Sequence, residues 1–166
     1  MRLLPALAIA TPLYAVDQAS KWWVLQELNL RALGAVEIGP FLNFVYALNT
    51  GVNFGLFASG SPNQQLFLAG FAAAVSLALL IWSARTDRLS IALACGMVVG
   101  GALANATDRL TEGGVVDFLN VSCCGIRNPF AFNIADVAIF AGALLLAWLS
   151  WSDDHREQGS TSTDRP

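Results

Sequence analysis

Two aspartates, Asp117 and Asp136, border stretches of sequence apolar enough for a membrane, where a carboxylate is costly to hold. Asp117 follows Gly113-Gly114-Val115-Val116 and precedes Phe118; Asp136 follows Phe132-Asn133-Ile134-Ala135, just inside the last apolar run. An ionisable group near hydrocarbon must face a partner or a wet cavity, so each is a candidate functional group. A carboxyl pair from adjoining segments could do acid–base chemistry on water. Each also has a structural reading. Asp136, three residues after Asn133, suits the first turn of a capped helix, where the helix dipole favours an acid, and Asp117 alone could be a loop acid.

Of the 166 residues, 55% are hydrophobic and 13% charged, against about 25% charged in an ordinary soluble domain. This composition describes one compact integral membrane bundle. A net charge of −3 without a Lys/Arg stripe excludes nucleic acid as a partner. The three cysteines, Cys95, Cys123 and Cys124, give neither a disulfide framework nor metal-ligand spacing. The one histidine, His155, lies in the polar tail, and no His-Glu-x-x-His occurs, so histidine-based metal chemistry is excluded. With His155 expected on the opposite membrane face, Cys123 and Cys124 also lack a base to make a thiol nucleophile.

Four segments, about residues 3–25, 65–84, 89–106 and 133–151, are long and apolar enough to predict spans; crossing takes about 20 helical residues. Arg2 and the apolar run after it resemble a secretory leader, but Ala8-Ile9-Ala10 comes too early for a cleavage site and Leu13-Tyr14-Ala15 opens with a large residue. The segment is read as a retained first helix. A long connection, about 29–63, is rich in glycine and carries the β-prone Phe41-Leu42-Asn43-Phe44-Val45-Tyr46, predicting a small sheet or amphipathic platform at the membrane surface. A second excursion, about 108–130, emerges on the same side. Residues 152–166 form a polar tail expected to be disordered. The side with the termini carries Arg2, Arg85, Arg88, Arg156 and Arg165; the other carries Lys21, Arg31, Arg109 and Arg127. This narrow excess places both termini in the cytoplasm.

Within the spans, Asp17 and Lys21 are four apart and share a helix face, so they read first as an ion pair. Ser20 points elsewhere, which argues against a Ser–Lys dyad. Asn105, Asp108 and Arg109 share a face at the end of the third span. Arg109 there could bond the last carbonyls or a carboxylate, or reach substrate or loop backbone. Gly96, Gly100, Gly101, Ala102 and Ala104 permit close helix packing.

Five ordered motifs then resemble those of the lipoprotein signal peptidase (signal peptidase II) family: Asp17-Gln18-x-x-Lys21, Asn49-x-Gly51, Gly100-Gly101-Ala102-x-x-Asn105-x-x-Asp108-Arg109, Val115-Val116-Asp117-Phe118 and Phe132-Asn133-x-Ala135-Asp136. The likeness covers about residues 12–145. It implies an all-α membrane protein of four transmembrane helices with a small extracytoplasmic β-cradle after the first. The peptidase domain would be residues 1–151 and the cradle about 29–63. The implied activity is aspartyl endopeptidase action in the bacterial inner membrane, cutting prolipoproteins before a diacylglyceryl-modified cysteine. Asp117 and Asp136 would be the catalytic dyad, with Asn49, Gly51, Asn105, Arg109, Asn133, Asp17 and Lys21 shaping or supporting the site. The resemblance also implies a monomer in contact with membrane lipid, no cofactor or metal, and inhibition by the cyclic peptide globomycin. Ala104, where glycine is usual, and Asn53, where a small apolar residue is usual, depart from the pattern and bear on substrate fit. A proton- or ion-coupled carrier using Asp17, Asp108 and Asp136 is the competing class, but the acids gather at one face and no internal repeat is visible. A structural subunit would leave the co-occurring motifs unexplained.

Overall fold

The computed structural model describes residues 2–51, 61–122 and 128–161, with no side-chain description for 153–161. Asn53, Cys123 and Cys124, part of the expected cradle and the side chain of His155 lie outside the described residues.

The chain begins with helix α1 (Leu3–Trp22), continued by one π-helical turn (Trp23–Glu27). A short helix α2 (Leu30–Leu33) leads into strands β1 (Ala35–Glu37) and β2 (Leu42–Asn49). Helices α3 (Pro62–Arg85) and α4 (Leu89–Thr111) follow, then strand β3 (Val115–Val121) and helix α5 (Ile134–Thr161). Among the described residues, three helices are long and apolar enough to cross a membrane: α3, α4 and the Ile134–Ser152 part of α5. Helix α1 carries Asp17, Gln18, Ser20 and Lys21 in its last turns and is not among the three.

Local chemistry sets the helix ends. Ser61 caps α3, its hydroxyl accepting from the Gln64 N–H at 3.3 Å, and Pro62 occupies the first turn where a missing N–H costs nothing. Helix α4 stops at Gly113, whose φ of +75° suits a residue without Cβ and turns the chain into β3.

Helix α4 is the hub of the bundle, packed on α1, α3 and α5. Of its most apolar window 56% is buried, against 17% for α3 and 22% for α5. The outer helices instead display large apolar residues, including Phe67, Phe71 and Trp82 on α3 and Phe140 and Trp148 on α5. Such faces suit hydrocarbon, with polar groups turned inward. The small residues of α4 set its spacing. Gly96 and Gly100 lie against the Ala6 and Ala10 carbonyls of α1, and Gly101 lies against Ala135 of α5. This is the close packing that α4's run of small residues favours.

The sheet differs from the expectation in one respect. It has three antiparallel strands in the order β1-β2-β3, and the third comes from the second connection, outside the 29–63 cradle. Val115, Val116, Phe118 and Val121 are β-prone, but their partner β2 lies far away in sequence, so no hairpin turn announces the pairing. A bulge between Phe44 and Ala47 sets Ala47 opposite Asp117. On its other side β3 meets Phe132, with Leu119 N–H donating to the Phe132 carbonyl at 2.8 Å and Phe132 N–H donating back at 2.9 Å. Beneath the sheet Val24, Leu30 and Phe118 form a small core with Phe44 and Ile134. The entry to α5 is thus registered directly on the strand that carries Asp117. Helix α5 also runs on to Thr161, into the tail expected to be disordered. Extending a formed helix costs little, since only nucleation is expensive.

A Cβ at Gly100 would sit 2.6 Å from the Ala10 carbonyl oxygen, whereas one at Gly70 on α3 would meet nothing within 4 Å. Gly100→Val is expected to cost about 1–3 kcal/mol or more, and Gly70→Ala to be neutral or slightly stabilising. Thermal unfolding of the two purified variants in detergent micelles checks both.

Candidate active site

The site is built where α1, α4, β3 and α5 meet. Its foundation is Lys21, buried at the end of α1. The Lys21 Nζ lies 2.6 Å from Asp17 Oδ2, 2.7 Å from Asp108 Oδ2 and 3.0 Å from Asn105 Oδ1. An ammonium can only donate, and here it donates to Asn105 while ion-pairing with both carboxylates. The ion pair read from the Asp17/Lys21 spacing is formed, and Asp108 joins it from α4.

Each carboxylate also accepts from a backbone N–H. Asp17 Oδ1 accepts from the Ala135 N–H at 2.8 Å, holding one of the free donors in the first turn of α5. Asp108 Oδ2 accepts from the Val116 N–H at 3.1 Å, next to Asp117, while its Oδ1 takes Gln18 Nε2 at 2.7 Å. The cation therefore ties α1 to α4 directly and, through its two acids, to β3 and α5.

Asn133 precedes α5 and caps it. Its Oδ1 accepts from the Asp136 N–H at 2.8 Å, and Asp136 Oδ2 accepts from the Asn133 N–H at 3.2 Å, a reciprocal capping box. The helix-cap reading of Asp136 is thus realised, and it leaves Oδ1 facing Asn105 Nδ2 at 2.9 Å. Asn133 Nδ2 reaches Asp117 Oδ1 at 2.8 Å, Asn105 Oδ1 at 3.1 Å and the Val116 carbonyl at 3.3 Å. Asp117 sits on β3 rather than in a loop, with its Oδ2 facing Asn49 Nδ2 at 3.3 Å. Asn49 in turn accepts from the Gly51 N–H at 3.2 Å. Two carboxamides, Asn105 and Asn133, thereby link the carboxyls of Asp117 and Asp136. Burial first, and then the charge of Asp136, push the Asp117 carboxyl up to about 7.

Arg109 donates to the Gly51 carbonyl at 2.8 Å and more weakly to the Asn105 carbonyl at 3.5 Å, so it braces loop backbone rather than pairing with its neighbour Asp108. Gln65 Nε2 also holds the loop, at the Thr50 carbonyl, 2.6 Å away. A cleft of about 770 Å³ opens between α3, α4 and α5. Its walls include Phe67, Phe71, Phe140 and Ala143, and it reaches Asn105, Arg109 and Asp136 at its polar end. Among the described residues, no three His, Cys, Asp or Glu side chains converge so as to hold a metal ion.

All nine expected site residues therefore fall in one connected region. Gln18 and the Ala135 N–H were not singled out from sequence as parts of it, and Asp108 was read only in its cluster with Asn105 and Arg109, not as a partner of Lys21. For Asp108 and Gln18 a signal existed, since both stand inside the motifs; nothing in the sequence pairs Asp17 with α5. Ala104 is fully buried, and its carbonyl accepts from Gln18 at 3.2 Å.

Fold and site define a helical membrane protein with a buried, amide-linked carboxyl pair, one member of which, Asp136, lines the polar end of an apolar cleft. The family model described as signal peptidase (SPase) II matches residues 9–152, and the chain belongs to that family. It is similar to a lipoprotein signal peptidase of Rhodopseudomonas palustris, 41% identical over 137 residues that make up 81% of this chain and 84% of the relative. One from Nitrobacter hamburgensis is 37% identical over 152 residues, 90% of this chain and 93% of the relative. Among solved structures, a bacterial membrane enzyme determined in meso at 2.3 Å resolution superposes with a TM-score of 0.76 at 25% identity, covering 96% of this chain and 91% of that one. A second, at 1.9 Å, gives 0.71 at 26% identity, covering 87% and 90%.

Lys21→Met would leave Asp17 and Asp108 buried without their cation. The expected loss is about 3–5 kcal/mol, since breaking a buried pair strands the remaining charge. Denaturant or thermal unfolding in micelles would show it, and unchanged stability would mean that the hub does not hold the helices.

Proposed function

We propose that this chain is an aspartyl endopeptidase that removes the signal peptide from prolipoproteins, cutting before the diacylglyceryl-modified cysteine, with Asp117 and Asp136 as its catalytic dyad. The observation that carries this reading is the joint tethering of both carboxyls through Asn133 and Asn105, with Asp136 and Asn105 lining the polar end of an apolar cleft. Two desolvated carboxyls in one site cannot both ionise cheaply, so the pair keeps one proton. The ionised partner takes a proton from water as its oxygen attacks the scissile carbonyl carbon. The protonated partner hydrogen-bonds the developing oxyanion. Collapse of the tetrahedral species breaks the C–N bond, with a proton passing to the leaving amine. The products are a signal peptide ending in a carboxylate and a lipoprotein beginning with the cysteine's free amine.

The remaining features serve positioning. Acyl chains of the substrate lie in hydrocarbon beside the cleft and hold the cleavage point at the depth of the dyad, converting recognition into proximity. Arg109 and Asn49 steady the turn at Gly51. Helix α1 with its π-helical turn serves as a fourth span, its polar residues turned into the bundle. The domain covers residues 1–151, both termini face the cytoplasm, and the dyad lies near the opposite face of the bacterial inner membrane. The protein acts as a monomer and is inhibited by globomycin.

The pH dependence follows from Asp117. An acid raised to about 7 keeps its proton where a free aspartate would lose it, and gives it up as pH climbs through 7. Activity should therefore fall on the alkaline side as the shared proton leaves, and again in acid when the base is protonated. Asp117→Asn and Asp136→Asn should each lower cleavage of a diacylated prolipoprotein at least about a thousandfold, within the range of general acid–base catalysis. The check is kcat/KM against pH in micelles, with and without globomycin. Normal turnover by either variant, or a rate rising steadily through the alkaline range, would refute the dyad.

A further inference from the structure

Lys21 does more than neutralise charge, and the reason lies in the donor inventory. A carboxamide has one donating and one accepting end, and which faces which is decided by its most inflexible neighbour. For Asn105 that neighbour is the ammonium of Lys21, which can only donate, so the oxygen must face it at 3.0 Å. The NH2 end is then forced toward Asp136 Oδ1 at 2.9 Å. For Asn133 the inflexible neighbour is the backbone N–H of Asp136, which fixes its oxygen and turns its NH2 outward.

The four contacts on the dyad oxygens are consequently unequal. Asp136 faces two dedicated donors, Asn105 Nδ2 at 2.9 Å and the Asn133 backbone N–H at 3.2 Å. Asp117 Oδ1 draws on Asn133 Nδ2, whose two hydrogens serve three acceptors. Asp117 Oδ2 meets Asn49 Nδ2 at 3.3 Å, the longest of the four. Donors aimed at a carboxylate favour its charged form.

We propose that Lys21 is a positioning residue that, through the Asn105 carboxamide, commits Asp136 to start the reaction as the ionised base and leaves the shared proton on Asp117. This deepens the proteolytic reading and rests on it. The direction agrees with Asp117 being pushed up to about 7. The charged groups around the relay are Asp17 on α1, Asp108 and Arg109 on α4, Asp117 on β3 and Asp136 on α5. The Lys21 charge acts through space on both dyad carboxyls, whereas Asn105 donates to Asp136 alone, so it is this contact that separates the two acids.

Removing Lys21 alone would strand two buried acids, so the test uses Lys21→Gln with Asp108→Asn. This pair of changes keeps the hub's charge, since one anion remains where two anions and one cation stood. Gln can present either end of its amide, so the Asn105 oxygen keeps only the Asn133 Nδ2 donor, which is already shared among three acceptors, and the hold on the Asn105 orientation is loosened. With insertion and unfolding behaviour retained, kcat should fall about tenfold at unchanged KM, and the acidic limb of kcat/KM should move up by about one pH unit, the worth of one hydrogen bond to a charge. Lost activity with an unmoved acidic limb would make Lys21 merely structural and overturn the proposal. An infrared measurement covers the case in which the double variant does not fold. The protonated-carboxyl band that titrates near pH 7 in the resting enzyme should disappear in Asp117→Asn and remain, titrating at lower pH, in Asp136→Asn, since burial still raises Asp117 once the Asp136 charge is gone; the reverse pattern would overturn the assignment. Absence of prolipoprotein cleavage by the unmodified protein would instead sink the proteolytic reading, while the infrared arm would still locate the proton.

Discussion

A single ammonium group, held away from water between two carboxylates and a carboxamide, is the constraint from which the architecture follows. Burying a charge is expensive unless it is paired and its hydrogen-bonding capacity is filled. Lys21 meets that condition only when Asp17, Asp108 and Asn105 all converge on it. The convergence requires the end of α1 to lie against the end of α4. The glycine face of α4 allows this approach, because Gly96 and Gly100 admit the α1 backbone where a side chain would not fit. Packing and electrostatics thus demand the same placement.

From that hub the order propagates outward by backbone contacts. Asp17 holds the start of α5 and Asp108 the start of β3, which are the two segments that carry the carboxyl pair. The bulge in β2 and the bridge between Leu119 and Phe132 fix the register between them. Neither aspartate of the pair is placed by its own segment alone. The lipid-facing side is the reverse of this interior: large apolar residues on α3 and α5 stand outward, and the cleft between these helices runs inward to the polar end. A substrate anchored in hydrocarbon would approach along a surface that already matches its solvent.

Much of this was legible in the sequence, for identifiable reasons. The apolar runs of α3, α4 and α5 are long, and length is the strongest signal a span can give. The Asp17/Lys21 pair is local, four residues on one helix face. What stayed hidden was non-local. The Asp17 contact to Ala135 joins residues 118 apart, and nothing near either one announces it. Strand β3 pairs with β2 across α3 and α4, so its valines could equally have marked a loop edge. Asp108 sits beside Arg109, and sequence alone could not tell whether it pairs there or across to Lys21. Helix α5 outlasts its apolar stretch because propagation is cheap, which hydropathy does not register.

The most direct measurement is the nitrogen-15 signal of the Lys21 side chain in the intact protein, labelled and reconstituted in bilayers at working pH. A charged ammonium coupled to the carboxyls of Asp17 and Asp108 is the expected result. A neutral amine, or an ammonium with neither carboxyl beside it, would contradict it, since the amide orientations and the arrangement of the Asp117 and Asp136 carboxyls would then have no cation to set them.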